Sequence, residues 1–414
     1  MTRIRRRERP TSSNVNLRPL LAAVLLGAIS GALFADSPPP PEAAAPPPKA
    51  SDKPRPDPHA EELSRDAEIG KRYAAEVEKE FKVSKNAQYQ ERVRRIGQEL
   101  AEIANSIQPR VRWGDPRKNT FQYTFKVLEG KDVNAFSLPG GYIYVYEGLI
   151  EYAESDDELA GVLAHEIAHA AFRHLATLQR EQSKLQAITL PMILVAIFSG
   201  GQASGDVLML GQLVGLAAGS GWSQQAEEAA DDGGLQYMLR SRYNPVGMLT
   251  FMERLAVDER NRPKIDWGIY RTHPPSRDRA IELANQIRAA GIPIERSKVT
   301  TTFRAIAQPS PKNEGVLEVR FNGARLVSFA GPDAPERAAR ACERLNVFFD
   351  KVPELFQVAA RDDGRVVGLG KELFRITPED AAATGQTVPE AALAAAQAIK
   401  RSLYFLSYRI WDMR

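Results

Sequence analysis

Three side chains in the segment VLAHEIAH, Val162 to His169, could do chemistry together. Positions four apart on a helix differ by about 40° around its axis, so His165 and His169 share a face. Two imidazoles on one face can bind a single zinc ion. Glu166 lies at the edge of that face, where it can take a proton from water activated by the ion. Val162, Leu163, Ile167 and Phe172 are the apolar residues that would bury the helix and fix the histidines. His174 lies nine residues beyond His165, about 180° around a continuous helix, and reads as structural, not as a ligand.

A catalytic zinc usually has three protein ligands and one open position. The next candidates are carboxylates in WSQQAEEAADDGG, Trp222 to Gly234. Two pairs have helical spacing, Glu227 with Asp231 and Glu228 with Asp232. In either pair the glutamate could bind zinc, and the aspartate one turn later could orient a histidine by accepting its other N–H. A solvated acidic helix face would look the same, and spacing does not choose between the pairs.

These residues need a frame. Ile69, Tyr73, Val77 and Phe81 recur every four residues, and Val93, Ile96, Leu100 and Ile103 follow a similar pattern, which predicts helices from near Glu61. Thr120–Val145 reads as strands, Asp156–Arg180 as one helix and Ser223–Arg240 as another. Leu185–Leu216 is apolar and glycine-rich, and suits a lid or hairpin beside the site better than a membrane span. Past Pro293 the character changes. Val316–Phe321, Arg325–Phe329, Phe356–Ala360 and Val366–Leu369 read as short strands, and Glu336–Phe349 and Pro389–Tyr408 as helices, with no helical repeats. Asp362-Asp363-Gly364 reads as a hairpin turn and not a metal loop.

The chain of 414 residues exceeds what one core usually holds. Its net charge of +3 is too small to argue for nucleic acid. Cys342 is the only cysteine, which excludes an internal disulfide, a cysteine-based zinc finger and a lipoprotein-type N-terminal cysteine. A basic tip (Arg3, Arg5, Arg6, Arg7, Arg9) precedes the apolar run Pro19–Ala35, the pattern of an export signal or an uncleaved anchor. The proline-rich stretch SPPPPEAAAPPPKASDKPRPDP reads as a linker. The expected organisation is therefore a signal or anchor over 1–35, a Pro/Ala-rich linker over 36–60, a catalytic domain over 61–298, and a small α+β domain over 299–414 whose role is partner binding or purely structural.

HEIAH, followed some sixty residues later by an ExxxD segment, resembles the gluzincin zinc metallopeptidases of the HtpX and CAAX-prenyl endopeptidase family, and within it the soluble, periplasmic BepA-like branch. NAFSLPGGYIYVYEGLI, Asn134 to Ile150, is similar to the family's strand and turn before the metal helix. THPPSRDR, Thr272 to Arg279, is similar to its distal His-Pro motif, with His273 and Arg279 at matching places. The family places a glycine three residues after the aspartate, and Gly234 fits Asp231. The resemblance thereby implies Glu227 as third ligand, beside His165 and His169, and Asp231 as the residue that orients a histidine. It covers roughly Glu61 to Arg288. Two departures stand out: Ser223 is followed by Gln224 where the family often has arginine, and the tail lacks the tetratricopeptide pattern of some periplasmic relatives.

The resemblance implies an α+β, mainly helical zincin-type domain with a small sheet, holding one Zn²⁺ per chain. It implies an exported metalloendopeptidase in which Glu166 activates water to cleave misfolded or stalled envelope proteins. His273 either stabilises the oxyanion, shields the fourth zinc position, or only braces its loop. Tyr142–Val145 is a candidate strand for pairing with an extended substrate. The competing function is a chaperone-like, client-binding envelope protein with minor or gated proteolysis. Either reading has polypeptide partners, a periplasmic or other extracytoplasmic location, and membrane proximity through the N-terminal segment.

Overall fold

A computed structural model describes residues 57–182, 221–261, 273 and 277–406. The export signal, nearly all of the linker and the apolar 185–216 stretch lie outside the described residues. The described residues belong to one compact unit, Pro56–Arg414.

Helix α1 (Pro58–Glu80) starts at Pro58, ahead of its first apolar repeat, because Asp57 accepts a hydrogen bond from the His59 amide and proline fits the first helical position. Asn86 caps α2 (Ala87–Ser106) through the Gln88 and Tyr89 amides. The apolar stripe Val93, Ile96 and Leu100 is fully buried. Between α2 and the metal-helix segment lie β1 (Thr124–Leu128), β2 (Ala135–Leu138) and β3 (Tyr142–Tyr146), in the order β1-β3-β2. β1 runs parallel and β2 antiparallel to β3. The turn between β2 and β3 passes so close to α1 that a Cβ on Gly140 would sit 2.5 Å from the Ala67 Cα, and its φ is 76°. Only glycine meets both demands.

The central place of β3 corrects one expectation. Both of its edges are filled by its neighbours, so Tyr142–Val145 has no free edge to offer an extended substrate.

After α3 (Glu147–Tyr152), Ser155 caps α4 (Asp156–Ala171), whose first turn carries Asp156, Asp157 and Glu158, the sign that the positive helix N-terminus favours. α4 is buried along nearly its whole length. It packs on α2 and, further along the chain, on α6 (Gly221–Met238) and α7 (Val246–Asn261). The expected single helix Asp156–Arg180 is two. Arg173 adopts a left-handed φ of 52°, and α5 (His174–Gln182) begins after the break. α8 (Arg277–Ala289) and the one-turn α9 (Arg296–Val299) complete this part.

The buried side chains form separate cores. One runs from Val93 to Val299 around α4; a second joins α1 to the outer face of the small sheet; a third holds Phe303 to Leu406 and also takes in Ala256 and Val257 of α7. The third core is built by β4 (Ile306–Pro309), β5 (Leu317–Phe321), β6 (Ala324–Phe329), α10 (Ala334–Asp350), β7 (Val358–Ala360), β8 (Arg365–Gly368), β9 (Lys371–Arg375), α11 (Pro378–Ala383) and α12 (Val388–Tyr404). β4-β5-β6 and β7-β8-β9 are two antiparallel meanders. They match in detail. Each second hairpin turns on two left-handed residues, Asn322-Gly323 in one and Leu369-Gly370 in the other. Each has its register shift just before that turn, after Val319 and after Val366. The tail is thus a twice-repeated βββα arrangement, invisible to a search for helical repeats.

Candidate metal centre

α4 carries His165, Glu166 and His169 one turn apart, and α6 lies across it. The Nε2 atoms of His165 and His169 are 3.0 Å apart. Glu227 brings Oε2 to 3.3 Å from His165 Nε2 and Oε1 to 3.3 Å from His169 Nε2. His273 adds Nδ1, 3.3 Å from His165 Nε2 and 2.9 Å from Glu227 Oε1. Ligand atoms of these four residues all lie within 4.8 Å of one another, in a buried or half-buried setting. Glu228, the rival carboxylate, instead faces Gln224 and Arg112.

The approach of α6 depends on Gly234: a Cβ there would meet the His165 backbone N at 3.1 Å and the Ala164 carbonyl carbon at 3.2 Å. The glycine three residues past Asp231 therefore has a packing reason.

Asp231 Oδ1 lies 2.9 Å from His165 Nδ1. A carboxylate only accepts, so Nδ1 carries a proton and Nε2 is the ring atom that faces Glu227 and His169. Asp231 is held in turn by Arg279, whose Nε is 2.7 Å from Oδ2 and Nη2 2.9 Å from Oδ1; Nη1 reaches Glu227 Oε2 at 3.1 Å. Burial alone would lower the His165 pKa, but the Asp231 and Glu227 carboxylates override it and push it up to about 10. Burial would raise Glu227, yet His273 and Arg279 hold its carboxyl well below the usual range, and Arg279 and His165 bring Asp231 down to about 2. Burial pushes His169 the other way, down.

Glu166 is 1% exposed, and neither carboxylate oxygen has a hydrogen-bond partner among the described residues. His273 Nε2 stands 3.2 Å from its Oε1.

Two neighbours of the group did not follow from spacing: Arg279, which only the resemblance placed, and His174. Two carboxylates one turn apart on a buried helix face demand a cation, and that demand was the available signal for Arg279. His174 gave no such signal, because the break at Arg173 returns it to α4. Its Nδ1 lies 2.9 Å from His169 Nδ1 and its Nε2 3.1 Å from the Trp113 carbonyl oxygen. Burial, with His169 beside it, holds His174 well below its ordinary pKa. It is outside the four-residue group but in contact with it.

The residues fit a divalent ion. Zinc–ligand bonds of about 2.0–2.1 Å around a tetrahedron put ligand atoms about 3.3 Å apart. The separations among His165, His169 and Glu227 are 3.0, 3.3 and 3.3 Å. Formal charges on Glu166, Glu227, Asp231 and Arg279 leave two negative charges over, which a divalent cation would neutralise.

Comparison with known proteins agrees. The profile of Peptidase family M48 matches residues 87–287. The chain is 32% identical over 203 residues to the beta-barrel assembly-enhancing protease of Escherichia coli (strain K12), a match covering 47% of this chain and 38% of that protein. It is 31% identical over 195 residues to Metalloprotease LoiP of the same strain, covering 47% of this chain and 71% of LoiP. It is 30% identical over 178 residues to the mitochondrial metalloendopeptidase OMA1 of Schizosaccharomyces pombe (strain 972 / ATCC 24843), covering 42% and 50%. The match to the assembly-enhancing protease therefore spans well under half of that relative, and β4 to α12 lie outside the family match. With a 31% identical relative matched over 71% of its length, the chain belongs to Peptidase family M48, whose members are zinc metallopeptidases.

Proposed function

We propose that this chain is an exported, zinc-dependent endopeptidase that cleaves unfolded or misassembled envelope proteins. The observation that carries the reading is the convergence of His165, His169 and Glu227 on one point, with the buried Glu166 carboxylate, which accepts no hydrogen bond among the described residues, beside it. These three residues would hold one Zn²⁺. The chemistry such an ion supplies is Lewis acidity, which polarises a carbonyl and brings the pKa of water toward about 7. Glu166 takes the proton of the attacking water on a carboxylate oxygen and returns it to the leaving amine nitrogen. Asp231 and Arg279 orient His165. Met248, Phe251, Met252 and Leu255 of α7 line an apolar cavity that also touches His165 and Glu166, a setting for a substrate side chain.

His273 fills the fourth corner of the group and contacts Glu166, which supports the shielding role over simple bracing. Under this reading the site rests closed, and His273→Ala raises casein turnover; unchanged turnover would return His273 to a bracing role. Export rests on the basic tip and apolar run of residues 1–35. Among the described residues no helix is long and apolar enough to cross a membrane. The relatives named for protease activity support polypeptide substrates, and a periplasmic place rests on the N-terminal segment alone.

The test is casein cleavage by the full chain beside Glu166→Gln. Cleavage by the wild type alone supports peptide hydrolysis by this site. Cleavage by both would remove Glu166 from the mechanism, and cleavage by neither would favour a client-binding role.

A further inference from the structure

We infer that His174 is a positioning residue for the metal site, whose imidazole fixes the tautomer of His169 by accepting its Nδ1 proton. This rests on the reading of His169 as a ligand. The two candidate ligand histidines are supported differently. His165 has a carboxylate partner, Asp231, 2.9 Å from Nδ1. His169 has only another imidazole, His174, at 2.9 Å from its Nδ1. An imidazole can serve either as donor or acceptor, so its own second contact decides which. His174 Nε2 faces the backbone carbonyl oxygen of Trp113 at 3.1 Å. A carbonyl only accepts, so Nε2 carries the N–H. With a His174 proton committed to the Trp113 carbonyl at Nε2, the 2.9 Å contact makes His174 Nδ1 the acceptor and His169 Nδ1 the donor. That leaves the His169 Nε2 lone pair free, and Nε2 is the atom that faces Glu227 and His165.

The surroundings hold His174 in this register. Its side chain is 2% exposed. Its ring lies against Trp113 and Phe172, with centroids 5.2 and 5.6 Å away. The left-handed Arg173 that turns the chain back is itself pinned, with Nε 2.6 Å from Asp66 Oδ2 and Nη1 within 2.8 Å of Asp115 Oδ2. Partners of this kind typically change metal affinity 10- to 100-fold.

The test combines a direct reading of the tautomers with two variants, on the full chain. In ¹⁵N-histidine NMR of the zinc-loaded wild type, His174 is expected to be protonated at Nε2 alone and His169 at Nδ1. His174→Phe keeps a ring in the pocket and removes the acceptor; zinc affinity, measured by chelator competition, is expected to fall about 10- to 100-fold. His174→Gln, whose side-chain oxygen can accept, is expected to recover part of that loss. A purely structural residue would shift melting of the metal-free protein and leave zinc affinity alone. Wild-type affinity in folded His174→Phe, or a His174 protonated at Nδ1, overturns the inference. The NMR reading stands even if His174→Phe does not fold. A wild type that takes up no zinc fails at the earlier step, the metal reading itself.

Discussion

The two parts of the described chain bury charge to different extents. Up to Thr302, α4 is surrounded by it. Arg254 meets Glu158 at its N-terminal end, Arg279 and Asp231 flank His165 at its middle, and Arg173 gathers Asp66, Asp115 and Glu62 just past its C-terminal end. Beyond Thr302 the buried polar residues among those described are Glu318, Ser328, Asp380 and Ser402, and the core is apolar, with Phe321 stacked on Phe349 at 4.1 Å. Burying charge costs several kcal/mol per ion unless paired. A fold carries that cost where charges must be held in place. The denser charge lies around α4, where the candidate metal centre is, and that is the contrast to test.

The largest expected effect tests the first half alone. Glu166→Gln should lower peptide cleavage by about 10²- to 10⁴-fold, the usual weight of a general base, and leave the melting temperature almost unmoved. A comparable loss from any tail substitution that keeps the fold would break the contrast.

Next comes Arg173→Met. It strands the buried Asp66 without a cation, while Asp115 keeps Arg117 at 2.6 Å, and denaturant unfolding should show a loss of about 3–5 kcal/mol. It should also weaken zinc binding, since Arg173 sets the turn that returns His174. A loss below about 1 kcal/mol would mean that the network is incidental.

The seam between the halves is the third place to look. Glu154, just before the α4 cap, accepts hydrogen bonds from Thr300, Thr301 and Thr302. Burial alone would raise its pKa; the bonds from Thr300 and Thr302, with Arg254 close by, bring it down to about 2. A carboxyl with a depressed folded pKa stabilises the protein above its unfolded value, near 4.5, and loses that contribution as pH falls toward 2. Solvent screening at this partly exposed carboxyl leaves about 1 kcal/mol to disappear over that window. Glu154→Gln should flatten the acid limb of the stability curve, and an unchanged limb would place the acid sensitivity elsewhere.

The smallest effect belongs to the tail surface. Phe356 is 80% exposed. Phe356→Ser should shift stability by no more than about 0.5 kcal/mol and leave short-peptide cleavage alone. A raised KM for unfolded protein substrates, with short peptides unaffected, would give the tail a recognition role.

Much of the frame was readable because it is local. Helical period gave α1, α2 and α4, and i,i+4 spacing put His165 and His169 on one face. Turn chemistry gave the hairpin at Asp363-Gly364, where Gly364 has a φ of 84°. What was not readable depends on distant partners. Spacing left Glu227 and Glu228 equal; the structure separates them because α6 presents one face to α4 and the other to Arg112. The nine-residue step to His174 looked like the far side of a helix. The break that reverses it is held by Glu62, Asp66 and Asp115, which lie far away in sequence. β3 looked free to bind a substrate because strand order is not written in a strand's own residues. The tail's repeat escaped notice because it is carried by turn geometry and register, while Asn322 and Leu369 share little as side chains.

The most direct test of the central claim is the zinc content of the purified full chain by mass spectrometry, beside Glu227→Ala. One zinc per wild-type chain, lost in a folded Glu227→Ala, is the expected result. A folded wild type without zinc, or a Glu227→Ala variant that retains it at full affinity, would contradict the proposed metal centre.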